Sequence, residues 1–511
     1  MTPPMDPTKR IIVNTIAQYA KAVINIGLSL YSTRLILDAL SISDFGIYAV
    51  VSGVVAMLGF ISNSLIISTQ RFISFYHGRG DRGFVGKIFS NSLLLHLIFS
   101  LVIAVALVML KGWLFGGVLN IPPSRIETAG NVYYVTIAIL VIAVNTSPFK
   151  ALFIARENIV YVSVVEVLDG LFKFAFAIIL TFIAADRLMV YALMMCAIQM
   201  FNFLAFSIYG HIQFEECSMV IRRRDIDGSI QKQLMGFTGW TIYSMGTHAA
   251  KTQGVAVIIN HFLGTVANAA YGVAAQVNAA IFFVSSSIVN AMNPQIMKAE
   301  GEGDRRRVLS LAGQESKYST ILLSLAAIPI LIELPAILSV WLKEVPEDTT
   351  MFCTFTLGAC LADQLTIGLN AVNRAQGKIA LYTFLMFTPK LFCLPIGWWL
   401  LQSGRPAASV MWVVLGLELV TAIARIPYLK VSAGLDVTTF LRQSLLPVVP
   451  LVTALLAVGW ICVQMLHFPY RFVVSIPLSV LFGLAVGWRF SLRTEERQYI
   501  TKFVKSKMAR R

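Results

Sequence analysis

Four lysines stand inside stretches that are otherwise strongly apolar: Lys21, Lys173, Lys251 and Lys390. An ammonium deep in hydrocarbon costs several kcal/mol unless it faces water or a partner, so each marks a place where the chain handles charge. Lys21 belongs to a stripe of Asn14, Gln18, Lys21, Asn25 and Ser29, whose steps of three and four put all five on one helix face. Such a stripe is either a polar seam against a neighbouring helix or the wall of a water-filled cavity. No acid lies in the same stretch, which favours the cavity. Thr241, Ser244, His248 and Lys251 repeat the spacing later in the chain. Two such faces set opposite one another would make a positive chamber, with Lys21 roughly 15 Å and Lys251 roughly 22 Å along their helices.

Lys173 is less clear-cut, because Asp169 lies four residues before it and Glu166 seven, so an internal ion pair competes with a ligand site. Lys390 sits between Pro389 and Pro395, which predicts a kink, and Glu333, Asp363 and Glu418 in other apolar stretches are its potential partners. Those three acids, with His248, are also candidates to carry a coupling proton, since desolvation moves such groups toward neutral titration.

The elements that must hold these residues follow from composition. Of 511 residues, 57% are hydrophobic and 13% charged, with a mean hydropathy of +0.74. Soluble domains carry about 25% charged residues, so the chain reads as an all-α polytopic membrane protein. Cutting it at roughly 20 apolar residues per crossing gives about fourteen helices. They fall near 11–33, 45–68, 88–110, 131–153, 159–184, 188–210, 236–262, 266–292, 318–341, 351–372, 379–401, 407–427, 444–466 and 470–489. The first stretch carries Lys21 in its middle and lacks a small-residue cleavage site, so it reads as a helix rather than a leader. Most of the 41 Lys and Arg fall in loops on one side, which predicts both termini in the cytoplasm and accounts for the net charge of +15 without nucleic acid.

The chain repeats itself. A shift of 223 residues sets Tyr48 on Tyr271, Val54 on Val277, Phe60 on Phe283, Ser64 on Ser287, and Gly78, Gly80, Asp81 and Arg82 on Gly301, Gly303, Asp304 and Arg305. A shift of 220 sets Ala155-Arg156-Glu157-Asn158-Ile159 on Ala375-Gln376-Gly377-Lys378-Ile379. The expected organisation is a six-helix lobe over 1–210, a linker over 211–235, a second six-helix lobe over 236–430, two further helices over 431–490 and a basic tail over 491–511. Because six is even, the two lobes enter the membrane in the same sense.

Other chemistries find no support. No loop is long enough for a catalytic domain, and no catalytic residue, cofactor or metal site is expected. Gly86-Lys87-Ile88 and Gly377-Lys378-Ile379 lack the spacing and the hydroxyl of a phosphate-cradling loop. The six cysteines include no C-x-x-C pair. The tail mixes basic residues with Tyr499, Ile500, Phe503, Val504 and Met508, which reads as a helix on anionic lipid or as a solvated, frayed end.

The run Ser41-Ile42-Ser43-Asp44-Phe45-Gly46-Ile47-Tyr48, the block Ser68-Thr69-Gln70-Arg71-Phe72, the loop Leu119-Asn120-Ile121-Pro122-Pro123, the entry Phe237-Thr238-Gly239-Trp240, Asn268-Ala269-Ala270-Tyr271-Gly272, Asn293-Pro294, Trp341-Leu342 with Val345-Pro346, and Ala375-Gln376-Gly377-Lys378-Ile379 together resemble Wzx-type polysaccharide flippases of the MOP superfamily. The resemblance covers the first twelve expected helices. It implies a V-shaped, MATE-like, two-lobed exporter that alternates between cytoplasm-open and periplasm-open forms in the bacterial inner membrane. It also implies a cargo of undecaprenyl-pyrophosphate-linked oligosaccharide such as an O-antigen unit, with polysaccharide polymerase machinery and membrane lipids as partners. Under that resemblance, Lys21, Asn25, Lys173, His248, Lys251 and Lys390 are candidates to meet the pyrophosphate in a cationic central cavity. A drug-exporting relative would carry acids in its first helices, and no carboxylate precedes Asp38 in helix 1. A membrane glycosyltransferase would need larger external loops. A peptidoglycan-precursor flippase shares the pyrophosphate chemistry and stays open as an alternative.

Overall fold

Apolar runs with few glycines and prolines leave the backbone one inexpensive way to satisfy its own hydrogen bonds in lipid, and the chain takes it. A computed structural model describes residues 7–56, 58–118, 121–218, 221, 223–342, 345–468, 470–498 and 501; among them there is helix and no strand. The residues beyond 501, and with them Phe503, Val504 and Met508 of the expected tail helix, lie outside the described residues, as do Tyr499 and Ile500.

The principal helices are α1 (Pro7–Ala56), α2 (Gly59–Gly78), α3 (Arg82–Trp113), α4 (Ile126–Ala155), α5 (Ile159–Thr181), α6 (Arg187–Gln213), α7 (Gly228–Gly301), α8 (Arg305–Ile332), α9 (Leu334–Trp341), α10 (Thr349–Gln364), α11 (Ile367–Gln376), α12 (Ala380–Phe387), α13 (Cys393–Gln402), α14 (Ala407–Ala433), α15 (Val437–Phe440), α16 (Val449–Met465) and α17 (Phe472–Val486). Among the described residues, nine helices are long and apolar enough to cross a membrane. A tenth is added if α10 and α11, bent by 49° at their junction, form one broken span. The shortfall against fourteen lies where polar groups sit. It falls on the two regions with the lysine-bearing stripes, on the stretch shared by α1 and α2, and on α5, which is helical throughout yet carries Glu166, Asp169 and Lys173. The turn expected between the first two spans is helical instead, because residues 34–44 contain neither glycine nor proline. In α7 the corresponding break is real: Gly264 adopts φ 82°, ψ −174° between two helical stretches.

The chain divides into two compact units. The first runs from Ile12 to Ile242 with residues 301–303; the second takes the chain up to Ile11, Tyr243–Glu300 and the chain from Asp304 onward. In the first, α4 packs on α2, α3 and α6 around the fully buried Tyr133, whose hydroxyl donates to the Leu107 carbonyl at 2.8 Å. In the second, α14 packs on α10 and α13, while α8 packs on α10, α11, α16 and α17, so the two appended helices are part of this unit.

The repeat is visible in local geometry. Asp81 and Asp304 each cap a helix, accepting the N–H of Phe84 and of Arg307 at 3.0 Å, and each follows a glycine in the left-handed region, Gly80 at φ 76° and Gly303 at φ 77°. At the second alignment Glu157 (φ 59°) and Gly377 (φ 81°) are likewise both left-handed after a helix end.

Candidate functional site

In the first unit the polar stripe of α1 meets α5. Gly170 permits the approach: a Cβ there would stand 2.5 Å from Asn25 Oδ1. Asn25 Nδ2 donates to the Glu166 carbonyl at 3.1 Å, and Asn14 Nδ2 donates to the Glu157 carbonyl at 3.0 Å. Lys21 Nζ donates to Glu166 Oε2 at 2.6 Å and to Gln18 Oε1 at 2.8 Å. The other oxygen of Glu166 accepts from Lys150 Nζ, also at 2.6 Å. Expecting Lys21 to be unpaired therefore fails: its acid comes from another helix, which a search within helix 1 could not see. Asn14, Gln18, Lys21 and Asn25 form a helix–helix seam. Lys173 pairs with Asp169 one turn earlier at 2.7 Å, with Asn202 Nδ2 donating to the same carboxylate at 2.7 Å.

The second unit holds a larger cluster. Lys251 Nζ, on α7, reaches Glu418 Oε1 at 2.6 Å, and Lys390 Nζ reaches Glu418 Oε2 at 2.6 Å. Lys390 is presented by a 3-10 turn, Thr388–Phe392, that interrupts the helix where its flanking prolines predict a kink. Its ammonium is also 3.7 Å from Asp363 Oδ1. Asp363 closes α10 just before the break at residues 365–366. There Arg425 of α14 donates to the Asp363 carboxylate at 2.6 Å, to its carbonyl at 3.2 Å and to Thr366 Oγ1 at 3.3 Å. One guanidinium thus satisfies backbone released by the broken helix. His248 stands one turn before Lys251, an exposed side chain within electrostatic reach of Lys251, Lys390, Glu418 and Asp363. Lys251 is paired like Lys21, again by a carboxylate from another helix.

Glu333 is placed elsewhere. It ends α8 and takes Arg471 Nε at 2.9 Å and Ser475 Oγ at 2.8 Å, so it is no partner of Lys390. Among the described residues, no group of acids, histidines and cysteines is arranged to hold a metal ion.

Lys150 and Arg425 are the residues that sequence reasoning missed. Both fell within the expected spans 131–153 and 407–427, but were counted as loop charges; Arg425 is 1% exposed. Their positions inside those limits were the available signal. Counting both, the Glu166 cluster carries two ammoniums against one carboxylate. The Glu418 cluster carries two ammoniums and a guanidinium against two carboxylates. Each has one positive charge in surplus.

Against known proteins, no family model matches the chain, and no curated protein does. Solved structures do. An outward-facing multidrug resistance MATE family transporter of the MOP superfamily superposes with a TM-score of 0.72 at 13% identity, over 84% of this chain and 96% of its own. The chain has a MATE-like transporter fold. A MATE transporter in complex with MaL6 gives 0.71 at 13% identity, covering 84% and 97%. A MOP superfamily transporter from Pyrococcus furiosus, described as having a binding pocket of reverse polarity, gives 0.69 at 13%, covering 84% and 96%. The chain shares the fold of these transporters, and nine of its described helices are long and apolar enough to cross a membrane.

Proposed function

We propose that the chain is a flippase that carries an undecaprenyl-pyrophosphate-linked oligosaccharide, such as an O-antigen unit, across the bacterial inner membrane by alternating access along a cationic path. The observation that carries this reading is the surplus cation in each cluster. Lys21 and Lys150 flank a carboxylate that neutralises only one of them, and Lys251 and Lys390 do the same around Glu418. An organic cation would be repelled by such a cluster, whereas a pyrophosphate can share the ammonium protons with the carboxylate. In the Pyrococcus furiosus transporter, reversed pocket polarity is linked in its description to a different function. The same link supports assigning an anionic cargo here. Both termini in the cytoplasm, and polysaccharide polymerase machinery as partner, belong to this proposal.

The test is reconstitution in vesicles with a fluorescent prenyl-pyrophosphate-linked glycan on one leaflet and, separately, a lipophilic organic cation. Translocation of the glycan lipid, weakened about 10- to 100-fold in apparent affinity when Lys21 is replaced by Ala, is the expected result, since one charge-assisted contact is worth about 1.5–3 kcal/mol. Transport of the cation with none of the glycan lipid would replace this reading by a MATE-type antiporter.

A further inference from the structure

Glu315 lies on α8 and is 0% exposed, yet neither of its carboxylate oxygens has a hydrogen-bond partner. The local packing seals it. A Cβ on Gly368 of α11 would stand 1.9 Å from the Ala312 carbonyl, and Gly368 N donates to Ser316 Oγ at 3.0 Å, so α8 and α11 touch at backbone level on one side. On another side a Cβ on Gly313 would stand 2.6 Å from Ser444 Oγ, in the π-helical turn Leu441–Leu445.

The surrounding charges are mostly committed elsewhere. Lys317, two residues along, is held by both oxygens of Glu496 at 2.6 and 2.7 Å. Asp363 of α10 is bonded to Arg425 and faces Lys390. Arg442 in the 441–445 turn is exposed, and α16 and α17 carry no acidic or basic residue. Arg374 of α11 is the cation within electrostatic reach of Glu315. An ionised carboxylate buried without a donor costs several kcal/mol, and the neutral acid avoids most of that cost.

Unmet polar groups also lie on α8, on α10 and α11 packed against it, and on α12. Gln364, 0% exposed at the end of α10 beside the break, has both amide atoms unpartnered; Ser319 Oγ, one turn from Glu315 on α8, is unpartnered too, as are Asn373 Nδ2 on α11 and Tyr382 OH on α12. Buried polar groups are normally satisfied, so a group of them around a 49° helix break marks a region whose hydrogen bonds are completed in another arrangement.

We propose that Glu315 is the carboxyl that binds the coupling proton: neutral in the arrangement seen here and ionised once the α8–α11 contact opens and water reaches it. The step breaks the Glu315 O–H bond, releases the proton to water and leaves the electron pair on the carboxylate. Because the carboxyl is sealed, the proton exchanges only when the α8–α11 contact opens, which ties protonation to conformation. The proposal rests on the transporter reading but not on the identity of the cargo.

Infrared difference spectroscopy on the full chain in lipid, stepped in pH, separates the two. The carbonyl band of a protonated carboxylic acid is expected at neutral pH in the wild type and absent in E315Q, whatever is transported. E315Q, which mimics the neutral acid, is expected to unfold no more readily than the wild type. Glycan-lipid transport by E315Q should lose its response to an imposed pH gradient about 10-fold or more, while the rate without a gradient changes less. Identical spectra, an E315Q variant that is clearly less stable, or an undiminished response to the pH gradient would each overturn the assignment. Failure to move glycan lipid with the band intact would overturn only the proposed cargo.

Discussion

Both units clamp one carboxylate between two ammoniums at 2.6 Å, and the likeness stops at that distance. Around Glu166 the three side chains are 16 to 29% exposed; around Glu418 they are 6 to 11% exposed. The repeat did not supply the pair. Under the shifts that align the two halves, Lys21, Lys150 and Glu166 fall on Ser244, Asn370 and Met386, and Lys251, Lys390 and Glu418 fall back on Leu28, Gly170 and Ile198. The capped loops at Asp81 and Asp304, by contrast, keep the same bond and the same left-handed glycine. Duplicated scaffold and unduplicated charge are therefore separate layers. The part-exposed bridge is the more accessible of the two to the proposed cargo, and the buried one is where loss of a partner should weigh most on folding.

The largest expected effect tests that division directly. Glu418→Gln strands two ammoniums in a buried site, and removing one side of a buried pair costs about 3–5 kcal/mol. Glu166→Gln, at a part-exposed bridge, should cost about 1 kcal/mol or less. Thermal unfolding of purified protein in detergent compares them; equal losses would erase the distinction between the bridges.

A second comparison reads transport against stability. Lys21→Ala should lower glycan-lipid translocation about 10-fold with little change in unfolding temperature, and Lys21→Arg should recover part of it, consistent with a charge-assisted contact of about 1.5–3 kcal/mol. Lys251→Ala should lower translocation too and, unlike Lys21→Ala, should also lower the unfolding temperature, because it breaks a buried ion pair with Glu418. The reverse pattern would exchange the roles of the two clusters.

Much of the scaffold was legible because it rests on local rules. Apolar length predicted the spans at α3, α4, α6, α14, α16 and α17, the shift of 223 found the paired capped loops, and Pro389 with Pro395 predicted the turn that presents Lys390. Partners drawn from other helices were not legible. Nothing within α1 indicates that Glu166 of α5 reaches Lys21, and nothing in the spacing separates Glu418, which joins the lysines, from Glu333, which goes to Arg471. Lys150 and Arg425 were lost for a different reason: a charge near the end of an apolar run looks like loop until packing shows Arg425 buried and Lys150 bonded to Glu166. Glu315 sat in an expected loop, three residues before the ninth span begins, and only the α8–α11 contact reveals that it is sealed.

Coupling within each bridge gives a smaller, cleaner number. A double-mutant cycle on Lys150 and Glu166 should return about 0.2–1 kcal/mol, as part-exposed pairs do. The same cycle on Lys390 and Glu418 should exceed about 1.5 kcal/mol, since that pair is screened by little solvent. Similar coupling in both would mean that exposure does not set the strength of these bridges.

The smallest effect concerns the helix ends, where the two units also differ. In the second, Glu333 takes Arg471 and Ser475 at the start of α9. In the first, Arg125 joins Asp44 of α1 to Asp186, the cap of α6, with contacts of 2.7 and 3.0 Å. Burial pushes the Asp186 carboxyl up, but the Arg125 and Thr128 hydrogen bonds outweigh it and hold the group below the usual carboxylate range. A depressed folded-state value means that the clasp contributes stability above the ordinary titration of aspartate and loses it as pH falls through the folded value. Asp186 is 37% exposed, so the contribution is small. Protection of the first turn of α6 against hydrogen exchange, taken relative to the intrinsic rate at each pH, should therefore fall on acidification in the wild type, and Asp186→Asn should flatten that dependence while leaving protection around Glu333 unchanged. Acid-sensitive protection that persists in Asp186→Asn would place the responsible carboxyl elsewhere, with Asp44, the other acid on Arg125, the next to replace.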